Sequence, residues 1–315
     1  MANKTFKTHR DQLVILRNRG MIIKKGSQES RVIKLLEKEN YYSVINGYKD
    51  PFIIAGVTPE SFQSGTSFDE LFALFSFDRN IRLIYLKFIL KIEHQIKTVI
   101  AHEFSRLYGH DNYLKLDNFD NSTSKKIKEI LDLFRHIQSN LSDQMGRSNE
   151  ITHYMSVYGY IPLWVLVNIL SLGEMSYFYA NMKPHDQNEV ARHFGVLPVD
   201  LAKYIKNLTL ARNLCAHDER FYDFVYKSSL STTHIPNFSI FAIPVRHGNC
   251  LYGTNDTFSI AVILSILLSK KDVREFVSSL KKEFTKLNSL LTTISANIIF
   301  QKMGFGPHWE KLTQL

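Results

Sequence analysis

The chain has 315 residues, of which 44% are hydrophobic, 12% aromatic and 22% charged. This apolar content excludes a disordered or low-complexity protein, because it can bury enough surface to offset the conformational entropy of folding. Its 39 Lys and Arg residues exceed its 30 Asp and Glu residues, and the net charge of +9 favours binding to a polyanion such as RNA, DNA or an anionic membrane surface.

Helical periodicity dominates the first part of the chain. Residues 28–45 carry apolar side chains at three- and four-residue spacings, which predicts an amphipathic helix that Asn46-Gly47 ends. After a loop, Ser67 and Glu70 have the spacing of a capping box, the pattern that starts many helices. No Gly or Pro interrupts residues 68–108, so we expect one long helix there, or two that meet near Asp78.

The remaining segments are also mostly helical in pattern. Helices are predicted over residues 125–141, 163–182, 199–222, 258–268 and 272–300. The third of these begins next to Pro198, and Pro184 is expected to end the second. Residues 232–257 contain Pro and Gly and alternate only weakly, which favours a loop or a small β-hairpin. The sequence therefore predicts a mainly α fold with a small irregular or β insert.

Cysteine content and apolar runs indicate the compartment. Cys215 and Cys250 are the only cysteines, which excludes a disulfide framework and a Cys-rich zinc site. The apolar runs at residues 161–172 and 258–268 are shorter than the roughly 20 residues that a membrane span needs, and the N-terminus lacks the apolar core of a signal peptide. A soluble cytoplasmic protein without a membrane partner is predicted.

Residues 211–222 differ most from their surroundings. Asn213 and His217 are four residues apart and Arg220 follows three later, so the predicted helix places all three on one face. A neutral His exchanges a proton near pH 7, and the guanidinium of Arg212 can hold two phosphate oxygens. These groups suffice for RNA cleavage without a metal. The same residues also fit a helix cap with a salt-bridge network that includes Asp218 and Glu219.

No other segment carries a recognisable catalytic or cofactor motif. The sequence lacks a P-loop, a dinucleotide-binding glycine motif, an HExxH pair and a GxSxG elbow. Its twelve histidines show no metal-ligand spacing with carboxylates. We therefore expect neither a cofactor nor a metal.

The segment Arg212-Asn213-Leu214-Cys215-Ala216-His217 resembles the R-N-x-x-x-H signature of HEPN-fold ribonucleases. More narrowly, it is similar to the R-N-x-C-A-H pattern of the Abi-like family of bacterial abortive-infection proteins, the AbiD/AbiF group. Further segments resemble that family in the same order: Gly20–Ile23 with Asn40–Tyr48, Phe77–Arg79 with Ile92–Lys97, and Ile161–Gly173. Within the last of these, Asn168 stands where the family usually has Glu.

The resemblance implies a HEPN-type helical bundle spanning residues 67–315, preceded by an N-terminal helical region at 1–66 and interrupted by the insert at 232–257. It implies a metal-independent endoribonuclease of phage defence, with Arg212, Asn213 and His217 as the catalytic residues. Such domains work in pairs and this sequence holds one motif, so a homodimer is expected. RNA is the expected substrate, and a structured non-coding RNA is a further expected partner.

Helix residues before the motif are also candidates for the site. Glu93 and Lys97 are one helical turn apart, in the order that favours an ion pair. By the family pattern, their helix is expected to pack beside Arg212 and, with Arg220, to contact RNA. Trp164 is expected in the core. The alternatives to a nuclease are an inactive module that binds RNA in the same groove, and a defence sensor that binds only protein.

Overall fold

The computed structural model describes residues 5–315, and α-helices make up most of it, which confirms the mainly α prediction. Met1 to Lys4, the start of the predicted N-terminal region, lie outside the described residues. The first helices are α1 (His9–Asn18), which the periodicity did not predict, and α2 (Ser27–Glu39). The predicted helix over 28–45 is shorter as an α-helix, because its last part, Tyr42–Asn46, is a π-helical turn.

Helix α3 runs without a break from Phe68 to Tyr108. It begins as predicted, since the Ser67 hydroxyl accepts a hydrogen bond from the Glu70 amide at 3.3 Å and the Glu70 carboxylate accepts one from the Ser67 amide at 3.2 Å. Apolar residues at helical spacing along its whole length are buried. The alternative of two helices meeting near Asp78 is wrong.

Six helices follow α3 in the middle of the chain. They are α4 (Ser124–Gln144), α5 (Asn149–Tyr158), α6 (Leu163–Leu166), α7 (Leu172–Asn181), α8 (Pro184–Arg192) and α9 (Pro198–Ala216). The prediction of one helix over residues 163–182 is wrong. Ser171 and Glu174 form a capping box that starts α7 afresh after the turn that follows α6.

The predicted insert at 232–257 is confirmed. It contains the 3₁₀ turns Thr232–His234 and Phe238–Phe241 and an antiparallel hairpin of β1 (Val245–Arg246) and β2 (Asn249–Cys250). The hairpin turns at His247-Gly248, where both residues have positive φ, as a tight two-residue loop requires.

Three α-helices and a C-terminal 3₁₀ helix, Trp309–Gln314, complete the fold; the α-helices are α10 (Thr257–Leu267), α11 (Lys270–Leu290) and α12 (Ala296–Lys302). The single helix predicted over 272–300 is therefore wrong. The chain breaks after α11 because the Glu70 carboxylate accepts hydrogen bonds from the backbone amides of Thr292, at 2.6 Å, and Thr293, at 2.5 Å.

Helix α3 lies at the centre of the fold and packs against α7, α8, α9, α10 and α11. One continuous cluster of buried apolar side chains extends from Leu13 in α1 to Leu312 near the C-terminus. The division at residue 66 stays a prediction. No helix within residues 5–315 combines the length and the apolar character that crossing a bilayer requires.

Candidate functional site

The last turn of α9 carries the R-N-x-C-A-H segment. Leu214 and Cys215 point into the core, whereas Asn213 is exposed. Arg212 lies between these two faces, with 35% of its side chain exposed. The spacing of apolar residues thus fixes which side of the helix reaches solvent, and it leaves the polar residues of the motif at the surface.

Arg212 packs against α3, as expected from the sequence. Its Nε lies 3.7 Å from Oε2 of Glu93, and the other carboxylate oxygen of Glu93 binds Nζ of Lys97 at 2.9 Å. Glu93 is 7% exposed, so one nearly buried carboxylate lies between two cations. At 3.7 Å the contact with Arg212 is an ion pair without a hydrogen bond, and neither Arg212 Nε nor Glu93 Oε2 has another partner among the described residues.

His217 is the C-cap residue that follows α9. Its amide donates to the carbonyl of Asn213 at 2.9 Å, and its side chain is exposed. Within residues 5–315, no protein group hydrogen-bonds the imidazole ring. At about 100° per residue, the side chains of Arg212 and His217 point about 140° apart around the helix axis, whereas Asn213 and His217 share a face.

The placement predicted for Arg220 is wrong, because α9 ends at Ala216 rather than at residue 222. Asp218 has a φ of 57°, in the left-handed region that terminates many helices, and the chain turns away there. Arg220 instead donates to the carbonyl of Gly47 at 2.8 Å and binds Asp223 at 2.8 Å. It does not share the face of Asn213 and His217, and its role in RNA binding stays a prediction.

A buried polar network, which the sequence reasoning missed, fixes the segment after the motif. Asp78 in α3 is fully buried and accepts hydrogen bonds from the amides of Phe221, at 3.2 Å, and Tyr222, at 2.8 Å. It also accepts from the Tyr48 hydroxyl at 2.6 Å and from Arg82 at 3.0 Å. The available signal was an Asp and an Arg four residues apart on the apolar side of a long helix.

Arg82 connects the same network to Asp218. It is 2% exposed and donates to the Asp218 carboxylate at 2.5 Å and to the Glu219 carbonyl at 2.6 Å. Arg79 donates to Asp218 as well, at 3.1 Å. The salt-bridge interpretation therefore describes Asp218, whose charge two arginines of α3 neutralise. That interpretation does not account for Arg212, which turns to Glu93, or for the imidazole of His217, which has no hydrogen-bond partner among the described residues.

The remaining chemistry of the region is limited. Burial raises the pKa of Cys215 to about 12, so this thiol stays protonated and serves as a small packing residue. Among the residues that the structure describes, no group of three or more His, Cys, Asp or Glu side chains is arranged to hold a metal ion.

Comparison with known proteins gives one family. The family model described as Abi-like protein matches residues 34–223, which is more than half of the chain and includes both α3 and the motif of α9. No curated protein and no solved structure is significantly similar to the chain.

Proposed function

The chain belongs to the Abi-like protein family, and from this membership we propose that it acts in abortive infection, the arrest of a phage-infected bacterial cell. We further propose that its helices form a HEPN-type bundle and that it cleaves RNA in the cytoplasm without a metal. In this proposal two copies of the chain build one catalytic region from the ends of their α9 helices.

The motif supplies the groups that such a cleavage needs. The RNA 2′-hydroxyl attacks the neighbouring phosphorus and loses its proton to the imidazole of one His217. The bond to the 5′ oxygen breaks, and that oxygen takes a proton from water. Arg212 stabilises the charge on the phosphorus oxygens. The products are a 2′,3′-cyclic phosphate and a 5′-hydroxyl, and Asn213 orients the motif.

The observation that carries this proposal is that Arg212 turns to Glu93 of α3, whereas His217 is exposed at the end of α9. Ideal helix geometry places residues five apart about 140° apart around the axis, so a single chain does not direct both side chains to one side of α9. Both remain accessible, since His217 is exposed and Arg212 is one-third exposed. A second copy packed against the end of α9 brings its own His217 to the side where Arg212 lies, and this supports a shared site.

Glu93 and Lys97 position the arginine in this arrangement. The Glu93 carboxylate attracts Nε of Arg212 and leaves both terminal nitrogens of the guanidinium without a hydrogen-bond partner among the described residues. Those two nitrogens form the edge that binds two phosphate oxygens. Lys97 adds a positive charge next to the same carboxylate. Both residues thus stay in the site as proposed RNA-contacting or positioning groups.

The test is cleavage of labelled single-stranded RNA in EDTA by the wild-type protein and by His217→Ala. His308→Ala removes another exposed histidine outside the motif and serves as the matched control. We expect cleavage by the wild type and the control, and none by His217→Ala. Tight RNA binding without cleavage by any of the three would overturn the nuclease and favour the inactive RNA-binding module.

A further inference from the structure

A row of aromatic rings crosses the surface between α5 and α6. Its six members, each in contact with the next, are His153, Tyr154, Tyr158, Tyr160, His110 and Trp164. The centroids of successive rings are 5.1 to 6.4 Å apart, and the planes are tilted or perpendicular. We call this set the aromatic row.

The aromatic row faces solvent. Trp164 is 53% exposed and Tyr158 is 55% exposed, so the expectation that Trp164 belongs to the core is wrong. The indole projects outward because α6 is a single turn whose other side chains, Leu163, Val165 and Leu166, take the buried positions. An exposed run of large rings is unusual on a protein surface and marks a binding site.

One groove begins at the end of the row and reaches α3 beside the candidate site. Trp164 and Asn168 form one wall of a groove of about 500 Å³, and His94, Lys97 and His102 of α3 line the other. Lys97 is the residue that binds Glu93, the carboxylate beside Arg212. The groove thus extends from the last ring of the row to Lys97, whose partner Glu93 lies beside Arg212.

We propose that the groove and the aromatic row bind single-stranded RNA, with one base stacked on Trp164 and further bases along the row. This inference rests on the proposed function, since it describes how the substrate reaches that site. Unpaired bases stack on aromatic side chains whatever their sequence, whereas duplex bases are already stacked on one another.

The surroundings of the row favour RNA over a second copy of the chain. Residues 151–173, which hold five of the six rings, contain no Asp or Glu, and the acidic residues next to the row in sequence are Glu150, Glu174 and, beside His110, Asp111. The groove is concave, and its Lys97, His94 and His102 offer hydrogen-bond donors to phosphates and base edges. The two buried carboxylates beside it are already paired, Glu93 with Lys97 and Glu103 with Arg106 and His193.

The first test uses the fluorescence of Trp164. The chain has two tryptophans. The second, Trp309, lies near the C-terminus and packs against Phe284 and Phe305. In a His217→Ala, Trp309→Phe background the only indole is Trp164 and no RNA is consumed. We expect single-stranded RNA to quench its emission, and a hairpin of the same composition to quench it much less.

The second test measures affinity for the same RNA in the His217→Ala background. Trp164→Ala is expected to weaken binding roughly 5- to 150-fold, the usual cost of losing one stacked base, and Trp164→Phe to restore most of it. Tyr158→Ala tests the row without altering α6. Tyr42→Ala removes a ring that is 72% exposed and outside the row, and it should leave the affinity unchanged.

Two results would overturn the inference. One is that Trp164→Ala and Tyr158→Ala both leave the affinity for single-stranded RNA at the value of the His217→Ala background. The other is a loss of affinity that accompanies dissociation of the protein in sedimentation, which would assign the row to a contact between copies. Neither result depends on cleavage. If the wild-type protein does not cleave RNA but binding needs Trp164, the proposed nuclease fails and the RNA-binding surface stands.

Discussion

Asp78 provides the sharpest test of how the fold supports the motif. The change Asp78→Asn keeps the size of the side chain and removes its charge. In the wild type this carboxylate accepts four hydrogen bonds and faces Arg82, which is itself almost completely buried. The variant therefore leaves a buried guanidinium without its closest anion, and it weakens the acceptor for the amides of Phe221 and Tyr222.

The size of the effect follows from the burial of the pair. Removing one partner of a buried ion pair costs about 3–5 kcal/mol. Arg82 keeps two other acceptors, the Asp218 carboxylate and the Glu219 carbonyl, and the Asp218 side chain is 58% exposed. We therefore expect the lower end of that range, about 3 kcal/mol of the free energy of unfolding.

Urea unfolding at neutral pH and without added salt measures this difference in the free energy of unfolding. An unchanged dependence of that free energy on urea concentration would show that the variant unfolds from the same compact state. The matched control is Asp132→Asn on α4, whose carboxylate binds Arg135 at 3.1 Å at the surface. It should cost less than about 1 kcal/mol. A loss below about 1 kcal/mol for Asp78→Asn, or equal losses for both variants, would refute the reasoning.

Three further predictions concern other parts of the structure. Burial raises the pKa of Glu103, but hydrogen bonds from an arginine and two histidines outweigh burial and lower it from 4.5 to about 2, so the carboxylate stabilises the fold at neutral pH. The cost of Glu103→Gln in urea unfolding, about 2 kcal/mol at pH 7, should shrink as the pH falls from 4.5 towards 2, and a cost independent of pH would contradict this. Gly304→Ala should lower the melting temperature far more than Gly146→Ala, because both have positive φ but only the Cβ at 304 would overlap the Asp256 carboxylate; equal shifts would contradict this. Glu93→Gln leaves two cations without their anion and should slow cleavage at saturating RNA; a change confined to KM would instead indicate a role in binding alone.

The long central helix was predictable because its signals are local. Ser67 and Glu70 mark its start, and the absence of Gly and Pro lets it continue for 41 residues. The break at residue 171 also had a local signal, the Ser171 and Glu174 pair, but the apolar residues on both sides of it mimic one buried helix. Periodicity alone does not separate one helix from two that pack in the same core.

The end of α9 was not predictable from local sequence. No Gly follows the motif, and the chain turns at Asp218 because arginines from α3, far away in sequence, bind its carboxylate. That tertiary contact removes Arg220 from the helix face on which it was expected. The contact between Arg212 of α9 and Glu93 of α3, in contrast, was expected from the family pattern, because the resemblance already implied that these two helices pack together.

The most direct test of the shared site mixes two inactive chains. An Arg212→Ala chain and a His217→Ala chain are co-expressed with different affinity tags. The heterodimer is then isolated by two successive purifications, one for each tag. If Arg212 of one copy works with His217 of the other, this heterodimer holds one complete pair, and we predict that it cleaves single-stranded RNA in EDTA while each homodimer does not. No cleavage by the heterodimer, with cleavage by a doubly tagged wild-type dimer prepared in the same way, would contradict a site built from two chains.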